Sequence, residues 1–284
     1  MYVAVTGSSG KIGRAAIKAL AAAGHKTVNF DLKPSADGGR FVPVQCADFG
    51  EVLGALSGID THGGAPDAVL HLAGIPAPGL APDHVIFENN TQSTYNVFSA
   101  CARLGIKRIV WASSETILGL PFASPPDFAP LDETHPDRPE WSYSLSKHLG
   151  EAMAIQFSRW KPEMAISSLR FSNVYEPHDY AVIVPPLHKQ PKLRRGNLWA
   201  YVDARDCGEA CRLALENGKP GHEAYIIAAA DTIMDRPTRE LLAEFFPNTP
   251  IRGDLGEFQS LLSSQKAGGL LGYAPKHGWR ENLA

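Results

Sequence analysis

The run Thr6-Gly7-Ser8-Ser9-Gly10-Lys11-Ile12-Gly13 stands between a buried-strand pattern, Tyr2–Val5, and an amphipathic helical pattern, Ile12–Ala23. Strand, glycine-rich turn and helix in that order commit the chain to a βα unit whose helix packs back on its strand. Glycines at 7, 10 and 13 allow a tight turn and bring backbone N–H groups close to an anion at the positive end of the helix. The turn suits a pyrophosphate, although by itself it also fits an ordinary βα connection. Asp31 closes the second strand, 18 residues beyond Gly13. A carboxylate there accepts hydrogen bonds from ribose hydroxyls and repels a 2′-phosphate, which favours NAD over NADP. Lys33, close by, softens that preference.

The same alternation continues. Apolar runs at Thr27–Phe30, Phe41–Cys46, Ala68–Leu72, Arg108–Ala112 and Ala165–Leu169 predict strands. Helical periodicity at Val52–Leu56, Pro82–Leu104 and Tyr143–Trp160 predicts the helices between them. Alternation of this kind predicts an α/β fold with a Rossmann-like, doubly wound parallel sheet. Residues 119–141 interrupt it with six prolines and read as a long ordered loop of functional type. Beyond residue 172 the pattern turns irregular and proline-rich, then gives a helix at Cys207–Glu216, a strand at Ala224–Ala228 and a helix at Arg236–Phe246. We therefore expect a dinucleotide-binding domain over 1–172 and a smaller substrate-binding portion over 173–284. That boundary is soft, because later strands and helices can return to the main sheet.

A net charge of −3 argues against a nucleic-acid partner, which a basic domain or stripe would announce. No apolar run approaches the length of a membrane span, and the chain begins directly on a strand pattern without signal-peptide features. Cys46, Cys101, Cys207 and Cys211 are scattered without metal-ligand spacing, which predicts reduced thiols, a cytoplasmic location and no bound metal.

Tyr143 and Lys147 are four apart at the start of a predicted helix, so their side chains share one face. A lysine ammonium beside a phenol favours phenolate, and an oxidised nicotinamide pushes the same way. Such a base takes a proton from a substrate hydroxyl while hydride passes to the cofactor. Taken alone, the pair could arise in any helix by chance. Ser114 or its neighbour Ser113, at the end of the fifth strand, lies where open α/β sheets place their sites.

The G-x-x-G-x-x-G spacing resembles the first motif of the extended short-chain dehydrogenase/reductases, the group of NAD-dependent epimerases and dehydratases. Ala47-Asp48, His71-Leu72-Ala73-Gly74, Phe87-Glu88-Asn89-Asn90-Thr91, Trp111-Ala112-Ser113-Ser114, the stretch ending at Tyr143 and Lys147, and Arg170-Phe171-Ser172-Asn173-Val174-Tyr175 are similar to that family's further motifs, in order. The resemblance implies NAD held by Gly7, Ser9, Gly10, Lys11, Ile12, Gly13, Asp31, Asp48, Leu72, Ala73, Gly74, Asn90, Tyr143 and Lys147. It implies catalysis by Tyr143, Lys147 and Ser114, with Asn173 at the substrate, and a homodimer through the helices at 82–104 and 143–160. Glu115 follows the serine without the acid pair of the dehydratases, and reads as a substrate contact or a solvated residue.

Two departures bear on the substrate. Only about 25 residues separate Asn173 from Tyr201-Val202-Asp203, a short interval for an enzyme that covers a nucleotide-sugar, and Glu176 and Leu118 replace the family's glycine and tyrosine. A compact pocket for a free sugar or sugar acid is expected, although the serine triplet Ser114-Glu115-Thr116 departs from that of the compact uronate dehydrogenases. The basic run with His188, Lys189, Lys192, Arg194 and Arg195 offers an anion contact, Arg194 foremost, or a solvated loop. The expected activity is hydride transfer at a secondary carbinol of a sugar or sugar acid. The alternative is a nucleotide-sugar epimerase that keeps its NAD.

Overall fold

The computed structural model describes residues 1–35, 41–59 and 64–283. Its first half alternates β1 (Tyr2–Thr6), α1 (Lys11–Ala22), β2 (Lys26–Asp31), β3 (Phe41–Pro43), α2 (Phe49–Ser57), β4 (Ala68–His71), α3 (Asp83–Leu104), β5 (Arg108–Ser114), α4 (Ser142–Trp160) and β6 (Ala165–Phe171). Then come β7 (Val174–Tyr175), α5 (Tyr180–Lys189), β8 (Val202–Asp203), α6 (Ala204–Asn217), β9 (Gly221–Ile227), α7 (Thr238–Phe245), α8 (Gln265–Leu271) and α9 (Trp279–Asn282).

Seven parallel strands form the main sheet in the order β3-β2-β1-β4-β5-β6-β9, while β7 and β8 pair separately. The order reverses between β1 and β4, and the crevice beyond their carboxyl ends is where such sheets take ligands. Alternate strand residues feed opposite faces, as the pleat requires. Val3 and Val5 pack with Ala16, Leu20, Cys207 and Cys211 toward α1 and α6, whereas Ala4 joins Val52, Phe98, Trp111 and Phe157 toward α2, α3 and α4. All four cysteines are free and buried.

The sheet does not end at residue 172. β9 pairs along the whole of β6, and α6 lies against α1 in the outer layer. A third apolar cluster, including Tyr180, Trp199, Tyr201, Leu241, Leu261 and Trp279, organises the rest of the C-terminal half. The stretch expected to be irregular contains α5, with Pro185 and Pro186 inside it on its exposed side. Each proline removes one helical N–H, so only a short helix anchored by the buried Tyr180, Val184 and Leu187 tolerates both.

Residues 119–141 form an ordered loop without helix or strand. Its backbone is fastened to the C-terminal half, with the Ala129 N–H on the Pro250 carbonyl at 2.9 Å and the Leu131 N–H on Leu261 at 2.8 Å. The outer faces of α3 and α4 expose Tyr95, Leu145, Ile155 and Trp160. Among the described residues no helix is long and apolar enough to cross a membrane.

Candidate active site

One cleft of about 960 Å³ runs from the glycine turn across the carboxyl end of the sheet to the start of α4. At one end lie Gly7, Ser9, Gly10, Lys11, Ile12, Gly13 and Asp31; Leu72, Ala73 and Gly74 form the floor, and Ser114, Glu115, Tyr143, Lys147, Asn173 and Arg194 line the other end.

Gly7 has φ +66°, and a Cβ on it would lie 2.6 Å from the Ala73 nitrogen. A Cβ on Gly13 would lie 2.3 Å from the Gly7 carbonyl oxygen and 2.7 Å from that of Ser8. The turn thus closes on itself through contacts that only glycine permits. No side chain caps the N-terminus of α1, whose free N–H groups form an anion cradle. Asp31 Oδ2 accepts from the Ser9 N–H at 2.9 Å and Oδ1 from the Leu32 N–H at 2.7 Å, so its carboxylate is oriented at the cleft edge. These residues fit a dinucleotide: the uncapped helix end for its pyrophosphate, the carboxylate for a ribose.

Two residues expected at the cofactor, Asp48 and Asn90, are not among those lining the cleft. Asp48 does not line the cleft; its exposed carboxylate caps α2, accepting from the Glu51 N–H at 3.0 Å. Asn90 lies behind the wall, where its carboxamide accepts from the Ile75 N–H at 2.8 Å and donates to the Ile75 carbonyl at 3.0 Å, fixing the backbone beyond Gly74.

Tyr143 and Lys147 share one face of α4, the Lys147 Nζ lying 5.7 Å from the Tyr143 ring centroid and donating to the Ala112 carbonyl at 2.7 Å. Lys147 was expected to favour the phenolate. In the chain alone, burial dominates: it pushes the Tyr143 phenol up to about 12, the Ser114 hydroxyl offsetting this and the Glu115 charge adding to it. Burial likewise pulls Lys147 down to about 8. Spacing on a helix reports adjacency, whereas desolvation depends on what the fold stacks above the pair.

The two serines separate clearly. Ser113 donates to Glu151 at 2.5 Å, inside a buried network in which Glu151 also receives Arg170 at 2.7 Å. Ser114 accepts from the Thr116 hydroxyl at 3.0 Å and from the Thr116 N–H at 3.2 Å. With its lone pairs engaged, the Ser114 hydroxyl keeps its proton for the cleft.

Glu115 is 3% exposed. Its Oε1 accepts from Asn173 Nδ2 at 2.8 Å and Asn197 Nδ2 at 3.3 Å. Burial pushes its carboxyl up to about 7, against the pull of Ser172, Arg194 and Asn197. The folded chain therefore keeps a proton that the unfolded chain releases above about 4.5, and stability falls as pH rises from there through about 7. Glu115→Gln removes that titration. Its melting temperature is expected to exceed wild type at pH 8, by about 3 kcal/mol at most in stability, with little difference at pH 4.5. Thermal unfolding at the two pH values checks this, and equal curves at pH 8 contradict it.

The basic run does not act as a unit. His188 is bonded to the Ile233 carbonyl and lies against Trp279, Lys189 and Lys192 are exposed, and Arg194 alone of these lines the cleft. Asn197, which no motif announced, lines it as well. Asp203 caps α6 and pairs with Arg205. Ligand atoms of Glu176, His178 and Asp179 lie within 4.8 Å of one another, but Glu176 is paired with Arg14 and Asp179 with Lys11.

The model of the NAD dependent epimerase/dehydratase family matches residues 3–228. A UDP-glucose 4-epimerase of Neisseria meningitidis serogroup C is 27% identical over 234 residues, covering 76% of this chain and 64% of its own length. An L-arabinose 1-dehydrogenase (NAD(P)(+)) of Haloferax volcanii is 26% identical over 230 residues, covering 77% and 84%. Among solved structures, a short-chain dehydrogenase/reductase superfamily protein from Agrobacterium tumefaciens with bound NAD superposes with a TM-score of 0.74 at 23% identity, over 100% of this chain and 95% of that one. The chain thus matches less than two thirds of the Neisseria epimerase and most of the Haloferax dehydrogenase.

Proposed function

This chain belongs to the NAD dependent epimerase/dehydratase family, and from that premise we propose that it is a dehydrogenase acting on a secondary carbinol of a compact, sugar-like substrate. The observation that carries the reading is the size of the cleft. At about 960 Å³ it is near the upper end for one small-molecule site, roughly 300–1,000 Å³, and the dinucleotide takes much of it. What remains beside Ser114 and Tyr143 suits a monosaccharide better than a second nucleotide. When bound, NAD supplies the hydride acceptor. In this reading Ser114 holds the substrate oxygen, Tyr143 takes its proton, and Lys147 keeps positive charge beside the phenol.

One observation favours the epimerase alternative. The ion pairs Lys11–Asp179 and Arg14–Glu176 tie the first helix to the segment after β7 beside the glycine turn, an arrangement suited to retaining a cofactor. Incubation with NAD and a panel of pentoses, hexoses, sugar acids and UDP-glucose separates the two. NADH accumulating far beyond the enzyme concentration is the expected result. Interconversion of UDP-sugars with no net NADH would overturn it in favour of the epimerase.

A further inference from the structure

Both ends of the loop at residues 119–141 reach the cleft, Pro121 at one and Trp141 at the other. The loop is held at each. Near its start the Phe122 N–H donates to the Gly196 carbonyl at 2.7 Å, in a turn strained at Leu198 and Trp199, both at φ 53°. Near its end the Arg138 N–H donates to the Ile117 carbonyl at 2.7 Å, and Asp137 pairs with Arg170 at 3.1 Å. The indole that stands two residues before Tyr143 is therefore carried by a fixed segment.

Trp141 is also an unusual residue for its backbone position. It caps the N-terminus of α4, where serine, threonine, asparagine or aspartate normally accepts a bond from the first turn. An indole has no acceptor for that purpose. Ser144 takes over the capping: its hydroxyl accepts from the Trp141 N–H at 2.9 Å and donates to the Trp141 carbonyl at 2.9 Å, and the Leu145 N–H donates to the same carbonyl at 2.8 Å. The backbone of Trp141 is thus locked to the helix that carries Tyr143, while its side chain stays 37% exposed at the cleft. Among the described residues no group bonds the indole and no ring or cation packs on its face. A large aromatic left open where the helix prefers a small polar residue is a local misfit of the kind that proteins retain at functional sites.

We propose that Trp141 is a specificity-determining residue, its indole packing against the C–H face of a pyranose ring whose reacting hydroxyl lies at Ser114 and Tyr143. This rests on the dehydrogenase reading and narrows its substrate from sugar-like compounds in general to ring-closed sugars. A pyranose chair carries most of its hydroxyls at the rim and turns C–H bonds toward its faces. That apolar, weakly positive surface suits the negative face of an aromatic ring. An open-chain polyol of the same carbon chain has no such face, and packing it on the indole would cost the freedom of every C–C bond. The indole N–H, at the edge of the ring, is left to donate to a sugar hydroxyl.

The test is calorimetric, on the NADH-loaded protein, in which no hydride can leave the sugar. D-Galactose, D-glucose and L-arabinose are titrated beside galactitol, D-glucitol and L-arabinitol, the alditols of the same carbon chains. At least one aldose is expected to bind about tenfold more tightly than its alditol. Trp141→Ala is expected to remove that preference, weakening the aldose about tenfold and leaving the alditol within about twofold, whereas Trp141→Phe keeps most of it. NADH affinity and melting temperature are expected to hold in both variants, because the bonds that lock position 141 are made by its main chain. Aldose binding indifferent to Trp141→Ala, parallel loss of aldose and alditol, or binding of none of the aldoses each overturns the platform. NADH formation from NAD by the wild-type enzyme is read separately. Sugar oxidation whose KM is unchanged in Trp141→Ala leaves the dehydrogenase standing without the platform, and aldose binding that depends on Trp141 with no NADH formed does the reverse.

Discussion

Tyr143→Phe is expected to lower kcat by about 10²-fold or more while NAD affinity changes less than twofold. The substitution removes one oxygen and leaves a ring of the same shape. Tyr143 is buried, and the Lys147 ammonium lies 5.7 Å from its ring centroid, a packing that phenylalanine preserves. What disappears is the hydroxyl proposed to take the substrate proton next to Ser114. Burial raises the phenol to about 12 in the chain alone, so activity requires positive charge nearby, and Lys147 is the protein's own source. Lys147, pulled down to about 8, holds its proton below that pH and releases it above. Single-turnover NADH formation, together with a fluorescence titration of NAD, checks the split between chemistry and binding. A phenylalanine enzyme with near wild-type kcat would remove Tyr143 from the mechanism.

The second large effect is at the opposite end of the cleft. Gly13→Ala is expected to weaken NAD binding by about 10²-fold and to destabilise the fold by about 1–3 kcal/mol. The added methyl would stand 2.3 Å from the Gly7 carbonyl oxygen and 2.7 Å from that of Ser8. Both are backbone atoms of the turn itself, so relief comes only by opening it. Opening the turn moves the N–H groups that face the pyrophosphate, and the uncapped end of α1 loses its ligand geometry. Gly10→Ala is the control, since its Cβ would approach only the Gly7 carbonyl, at 3.3 Å. Titration of NAD into both variants, with thermal unfolding alongside, reads affinity and stability separately. Equal losses at Gly10 and Gly13 would show that the close approach at Gly13 is not what matters.

The features legible in the sequence were those whose cause is local. Continuous apolar runs and 3.6-residue periodicity located β1 to β6 and α1 to α4, because strands covered by helices on both faces and one stripe of each helix must be apolar wherever they pack. The glycines at 7, 10 and 13 announced the turn for the same reason: only a missing Cβ allows it. Tyr143 and Lys147 were legible through helical spacing only in company with the glycine turn and the motifs that precede them.

Other features depend on residues distant in sequence. The capping bond from Asp48 to the Glu51 N–H depends on where α2 begins, which the motif by itself did not specify. His188 looked like part of an anion site until the Ile233 carbonyl and Trp279 claimed it. Asn197 had no motif, because a carboxamide becomes a site residue only when a strained turn brings it to Glu115, 82 residues earlier.

The glycine turn therefore carried its shape in the sequence: three positions without a Cβ, in strand–turn–helix order, specify the tight turn, and its reading as a dinucleotide cradle needed Asp31 and the later motifs beside it. The direction of the Tyr143 and Glu115 proton affinities, and the arrival of Arg194 and Asn197 in the cleft that Glu115 lines, were decided by tertiary structure. Desolvation and through-space charge depend on what lies nearby in three dimensions, and no spacing along the chain encodes that.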